Sequence, residues 1–112
     1  MSIYFEKFPQ AGLQDAALGY TWSGRVLTAT LYHVERGDDG AIASQTAVAS
    51  EDFDFSSLAA GEVARVEPQV LPVNPVVRAE CDANGDLHAR VVNWYDPRYE
   101  NAPETQTEVL NG

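Results

Sequence analysis

The stretch Val76–Val92 reads VVRAECDANGDLHARVV. Asn84-Gly85 at its centre is a turn dipeptide between two alternating runs, which makes the segment a β-hairpin. A two-residue type I′ turn would pair Asp82 with Leu87 and Cys81 with His88, setting a charge against an apolar side chain. A three-residue loop, Ala83-Asn84-Gly85 with Gly85 left-handed, sorts the faces better. Cys81 then meets Leu87, Ala79 meets Ala89 and Val77 meets Val91 on one face. Glu80 meets His88 and Arg78 meets Arg90 on the other. A one-residue slip exchanges the two faces, so the pattern selects the second register. That register leaves two like-charge pairs, Asp82 with Asp86 and Arg78 with Arg90, with Glu80 diagonal to Arg90 as a partial offset.

Outward from this hairpin the rest of the chain also reads as short strands. Ser2–Phe8 is apolar and aromatic and stops at Pro9, as a short edge strand does. Residues 10–18 fit a helical turn or a loop, and Gly12 interrupts them. Residues 19–23 have strand composition. Arg25–Glu35 is apolar or β-branched on both faces, which suits a central strand. The breaker cluster Arg36-Gly37-Asp38-Asp39-Gly40 follows, and residues 41–49 return as the hairpin partner. Phe53 and Phe55 alternate with Asp52 and Asp54 in a strand pattern. Residues 56–62 read as a loop, 63–67 as a strand, and Pro68, Pro72 and Pro75 punctuate an extended connector. Thr105–Leu110 reads as a last short strand, within a segment, 101–112, expected to be a loose tail. Together these elements predict one all-β domain over residues 1–112. It would be an antiparallel β-sandwich or small partly closed barrel with at most one short helical turn.

The totals narrow the function. Seventeen acidic residues against seven Lys and Arg give a net charge of −10. With no basic cluster the chain lacks the positive footprint of a nucleic-acid binder, and it is poorly suited to an anionic membrane. Acidity favours solubility first, and a basic protein partner second. No apolar run approaches the ~18 residues of a membrane span. The start, MSIYFEKFPQ, lacks the pattern of a signal peptide, so a cytoplasmic protein is expected. Cys81 is the only cysteine, which excludes an intrachain disulfide and fits a small buried hydrophobe.

Few residues suggest chemistry. Asp82-Ala83-Asn84-Gly85-Asp86 has the alternating oxygens of a calcium loop. It lacks the following glycine and the bidentate glutamate of the ~12-residue loop, so a structural turn is the better reading and no metal is expected. His33 and His88 are the only histidines. His88 falls on the face opposite Cys81, against a Cys–His pair. No nucleophile elbow, phosphate-binding glycine loop or H-E-x-x-H motif occurs, and no cofactor is implied. Asp38-Asp39 and Glu51-Asp52-Phe53-Asp54-Phe55 form negative points, the second resembling an acidic-aromatic interaction edge as well as a solvated strand entry.

The remaining candidate is Val91–Glu100, VVNWYDPRYE. Trp, Tyr and Arg dominate protein interfaces, and their flat groups also stack on sugar or base faces. Trp94, Tyr95, Asp96, Arg98 and Tyr99 are therefore the expected partner- or ligand-binding residues. The alternative is that Trp94 covers the end of the core and Asp96-Pro97 is a plain turn. The first functional expectation is a non-enzymatic protein-interaction module of the phage-accessory or immunity-protein kind, with a protein partner or a second copy of itself. A small-molecule or carbohydrate-binding β-domain is the alternative, and a small hydrolase or isomerase the third.

Overall fold

The computed structural model describes residues 1–112 and contains seven strands and no helix: β1 (Ser2–Ala11), β2 (Ala16–Ser23), β3 (Val26–Arg36), β4 (Ile42–Asp54), β5 (Val76–Cys81), β6 (Leu87–Tyr95) and β7 (Gln106–Asn111). No helix is long and apolar enough to cross a membrane. The strands form two packed sheets, β5-β6-β1-β7 and β2-β3-β4, an all-β sandwich.

The core follows from alternation. Ile3 and Phe5 of β1, Leu27 and Ala29 of β3, and Ala79, Leu87, Ala89 and Val91 of the β5–β6 hairpin all point between the sheets and are buried. Phe53 and Phe55 join them, while Asp52 and Asp54, which alternate with them, stay exposed. Aromatic rings bridge the layers. Trp22 meets Phe5 edge-on at 5.4 Å between centroids, and Tyr20 meets Phe5 at 5.9 Å. The Tyr20 hydroxyl donates to the Val92 carbonyl at 2.6 Å, and burial pushes the phenol above its ordinary pKa.

The β5–β6 hairpin has the expected register: Cys81 faces Leu87, Glu80 faces His88, Ala79 faces Ala89 and Arg78 faces Arg90. Gly85 is left-handed at φ 84°, and Asp82 N donates to Asp86 O at 2.9 Å, closing the three-residue loop. The register breaks at one point. A bulge sets Val76, not Val77, opposite Val91, leaving Val76 5% and Val77 52% exposed. The Pro75 carbonyl accepts from Val92 N at 2.9 Å, which holds the chain one residue out of step. Val92, sent outward by simple alternation, is buried as well.

The charges also settle differently. Glu80 bonds Arg78 on its own strand at 3.0 Å rather than offsetting Arg90. Arg90 Nε instead lies 3.4 Å from Glu6, and its guanidinium sits 4.4 Å over the Phe8 ring.

Four further expectations are corrected. β1 is not an edge strand: it lies between β6 and β7, and it runs parallel to β6 in an otherwise antiparallel fold. No short hairpin joins β1 to β6, so nothing forces them antiparallel. Pro9 is tolerated within β1 because β7 pairs only as far as Lys7. Of the two readings of residues 10–18 the loop holds over residues 12–15 and the helical turn is absent; β1 continues to Ala11, and Asp15, left-handed at φ 56°, turns the chain into β2. The strand expected over 63–67 reduces to one bridge, Val63 to Glu80. The prolines that follow withhold ladder donors. The last strand expected at Thr105–Leu110 is present as β7, and its antiparallel pairing with β1, from Ser2–Asn111 to Lys7–Gln106, stands where a loose tail was expected.

The long connector from β4 to β5 is pinned by one carboxylate. Glu51 accepts backbone N–H bonds from Gln69, Val70 and Leu71 at 2.7, 2.8 and 3.0 Å. Desolvation pushes its pKa up, but the three donors together outweigh it and hold the carboxyl below its ordinary value. Leu71 is thereby delivered into the core. Because the folded pKa is depressed, this stabilisation is complete above the unfolded value, about 4.3, and is lost as pH falls through the folded one. Glu51→Ala is expected to lower stability by about 1–3 kcal/mol at neutral pH, measured by chemical denaturation. The gap to wild type should close as pH falls below about 4.3; a gap that did not change with pH would show that the charge is not what holds the connector.

Candidate functional site

β4 is an edge strand whose two halves differ. Beside its second half the connector packs, with Leu58, Ala64, Val66 and Gln69 facing Glu51–Phe55 across a shallow groove. Its first half has a neighbour only on the β3 side, and every residue from Ile42 to Val48 is exposed. Residues 41–50, AIASQTAVAS, carry no charge and no proline. Edge strands are ordinarily protected by lysine, proline, bulges or a covering loop. Here only bulges are present, between Leu31 and Tyr32 and between Glu35 and Arg36 of the β3 register. Between them Ser44–Ala47 form a regular ladder with Tyr32–Glu35.

The other edges are occupied or short. The edge of β5 is covered by residues 61–64, with Gly61 N donating to Cys81 O, Cys81 N to Glu62 O and Ala64 N to Ala79 O. β2 is mostly half-buried, and Tyr20 fastens it to β6. β7 has six residues and carries Glu108, which pairs with Lys7.

The residues singled out in the sequence divide into two groups. Trp94 lies at the end of β6 opposite Gln10, half-buried, and its indole N–H donates to the Gln10 amide oxygen at 3.2 Å. Its ring lies against Gly12, where an added Cβ would stand 2.6 Å from the Trp94 Cβ. Tyr95 pairs with Ala11, and its carbonyl accepts from Gly12 N.

The second group folds back onto the other sheet. Asp96 accepts from the Arg98 backbone N–H at 3.0 Å and from its guanidinium at 2.7 to 3.2 Å. The Arg98 side chain, foremost, holds the Asp96 carboxyl down at about 2. Arg98 also lies 3.8 Å from Asp15. Arg36 at the end of β3 bonds the Gly40 carbonyl and Glu100, and sits 4.7 Å over the Tyr99 ring. Asp96 and Arg98 thus satisfy each other, and the segment clamps the β3–β4 turn. Tyr99 remains 51% exposed beside Gly40, and with Ile42 it lines an open depression of about 390 Å³ at the start of the uncovered half of β4.

A third surface is the outer face of the four-stranded sheet. Tyr4, Glu6, Arg78, Glu80, His88 and Arg90 line an open cleft of about 360 Å³. His88 stacks on Tyr4 at 4.7 Å and lies 2.8 Å from Asp82. Its contact, then the Asp86 and Asn84 amides, lower the Asp82 carboxyl. Cys81 is buried on the opposite side of the hairpin, so no nucleophile faces this histidine from β5. In the Asp82–Asp86 turn the oxygens are engaged by N–H groups: Asp82 accepts from Asn84 and Asp86, and Asp86 from Ser2.

Of the residues singled out in the sequence, Tyr99 borders the uncovered half of β4, whereas residues 42–48 drew notice there only as a hairpin partner. The signal was present as an uninterrupted uncharged run beginning just after Asp38-Asp39. Set against known protein families, curated proteins and solved structures, the chain matches none of them.

Gly12→Ala is expected to push Trp94 off the end of β1 and to cost about 1–3 kcal/mol. In a ¹H–¹⁵N spectrum the Trp94 indole resonance should shift while that of Trp22 stays in place. An unmoved Trp94 signal would contradict this packing.

Proposed function

We propose that this protein is a non-enzymatic protein-interaction module that receives an extended segment of a partner as an added strand on β4. The observation that carries the reading is the exposed, uncharged first half of β4, which has a paired neighbour on one side only. Strand addition draws its affinity from main-chain hydrogen bonds and its selectivity from side-chain pockets beside the edge. Tyr99 and Ile42 supply such a contact at one end. Aromatic anchors of this kind are enriched where binding energy concentrates.

A second reading, a site for a small polar ligand, draws support from the cleft around His88 and Arg90. Its charged groups are already matched internally, Arg78 with Glu80, Arg90 with Glu6 and His88 with Asp82, which leaves fewer free groups to hold a ligand.

The test is affinity capture from the native host with wild type, Gln45→Pro and Val48→Lys in parallel. Proline removes a backbone donor, and lysine is a common edge guard. Near-UV circular dichroism confirms that each variant is folded. Proteins enriched on wild type should fall at least tenfold on the variants. Equal recovery on folded variants, or nothing above the control on wild type, would refute the β4 reading.

A further inference from the structure

We infer that the strand received by β4 belongs to a different polypeptide and is an uncharged segment of about four to six residues flanked by Lys or Arg. This rests on the β4 reading above and names the chemistry of its partner. The length comes from the bulges and the connector. The regular ladder of the open half is Ser44–Ala47, bounded on one side by the bulge near Ala43 and on the other by the bulge near Val48, beyond which the connector flanks the strand. A strand laid on β4 can keep an unbroken register only across that window and about one residue either side.

The charge requirement comes from the two ends. Asp38 and Asp39 stand exposed in the β3–β4 turn, and Glu35 is exposed opposite Ser44. At the far end stand Asp52 and Asp54, both exposed. The nearby cations are already engaged. Arg36 bonds Gly40 and Glu100, and Arg65 bonds Glu67. A partner strand therefore runs across neutral ground between two negative ends, and cationic flanks meet them.

The same layout disfavours a second copy. Antiparallel self-pairing centred on Ser44–Ala47 sets Gln45 against Thr46, so paired residue numbers sum to 91. The β3–β4 turn of each copy, with Asp38 and Asp39 exposed, then lies toward the second half of the other copy's β4, with Asp52 and Asp54 exposed. Acidic ends are brought toward acidic ends, and a net charge of −10 on each copy adds to the repulsion.

Three synthetic peptides test the inference. Each has the neutral core Thr-Val-Thr-Val-Thr, flanked on both sides by Lys-Arg, by Asp-Glu or by Ser-Gly. Binding is read from the backbone amides of Ile42–Ser50 in ¹H–¹⁵N spectra, with sedimentation velocity of the free protein alongside. The Lys-Arg peptide should shift those amides with at least tenfold tighter binding than the Asp-Glu peptide at low salt. That preference should shrink toward one in about 1 M salt, where the screening length falls to ~3 Å. Asp38→Lys combined with Asp39→Lys should weaken the Lys-Arg peptide and leave the Ser-Gly peptide unchanged. Shifts of β4 amides that are equal for all three peptides would overturn the charge inference and leave strand addition standing. A dimer of the free protein that Val48→Lys dissolves would overturn it in favour of a second copy. No shift of β4 amides with any peptide would sink both the inference and the reading beneath it.

Discussion

β1 occupies the interior of the four-stranded sheet, and both of its neighbours come from the far end of the chain. Ile3 sits opposite Leu87 on one side and Leu110 on the other, and Phe5 sits opposite Ala89 and Glu108. Phe5 also forms the floor on which Tyr20 and Trp22 of the second sheet rest. Remove β1 and β7 has no partner, β6 becomes an edge, and the aromatic layer between the sheets loses its support. The β5–β6 hairpin could keep its own ladder, but an isolated two-stranded hairpin is marginal in water.

Arginine side chains close the sandwich at two of its ends. At one, Arg25 enters from the start of β3 and donates to the Gly85 carbonyl at 2.6 Å and to the Gly112 carbonyl at 3.3 Å, tying the hairpin turn and the last residue to the opposite sheet. At the other, Arg36 and Arg98 flank Tyr99 and fasten residues 96–100 to the β3–β4 turn. Planar guanidinium groups suit such places, because one side chain reaches several acceptors and also lies over a ring. Six of the seven basic residues are arginine, and three of them are used in this way. No buried residue is charged, so the acidic excess lies at or near the surface.

The parts of the structure legible in the sequence are those decided by local alternation. The register from Arg78–Arg90 to Cys81–Leu87 was readable because a slip would have exchanged apolar and polar faces. The β3–β4 hairpin was readable because strong turn residues separate two strand-like runs. What alternation could not supply was long-range pairing. Nothing in Ser2–Phe8 announces a parallel neighbour more than eighty positions away, and the strand pattern near Gln106–Asn111 does not say that its partner is β1. The candidate site was legible by the same measure. Residue type drew attention to Trp94, Asp96, Arg98 and Tyr99, but Gly12, Asp15, Arg36 and Gly40, the groups that cover or engage them, lie far off in the chain. The exposure of β4 depends on which strand lies beside it, which is a property of the sheet order and not of the strand.

The central position of β1 also fixes a sequence of events in time. β2, β3 and β4 are consecutive, and short turns let them assemble soon after they are made. Ile3 must wait for Leu87, 84 positions later. At ~5–20 residues per second of synthesis, β1 spends on the order of ten seconds as an apolar, aromatic segment with no strand to join. Loop-closure entropy over so long a span weighs against early pairing of β1. In that interval Ile3 and Phe5, both buried in the folded protein, lack the β6 and β7 neighbours that later flank them.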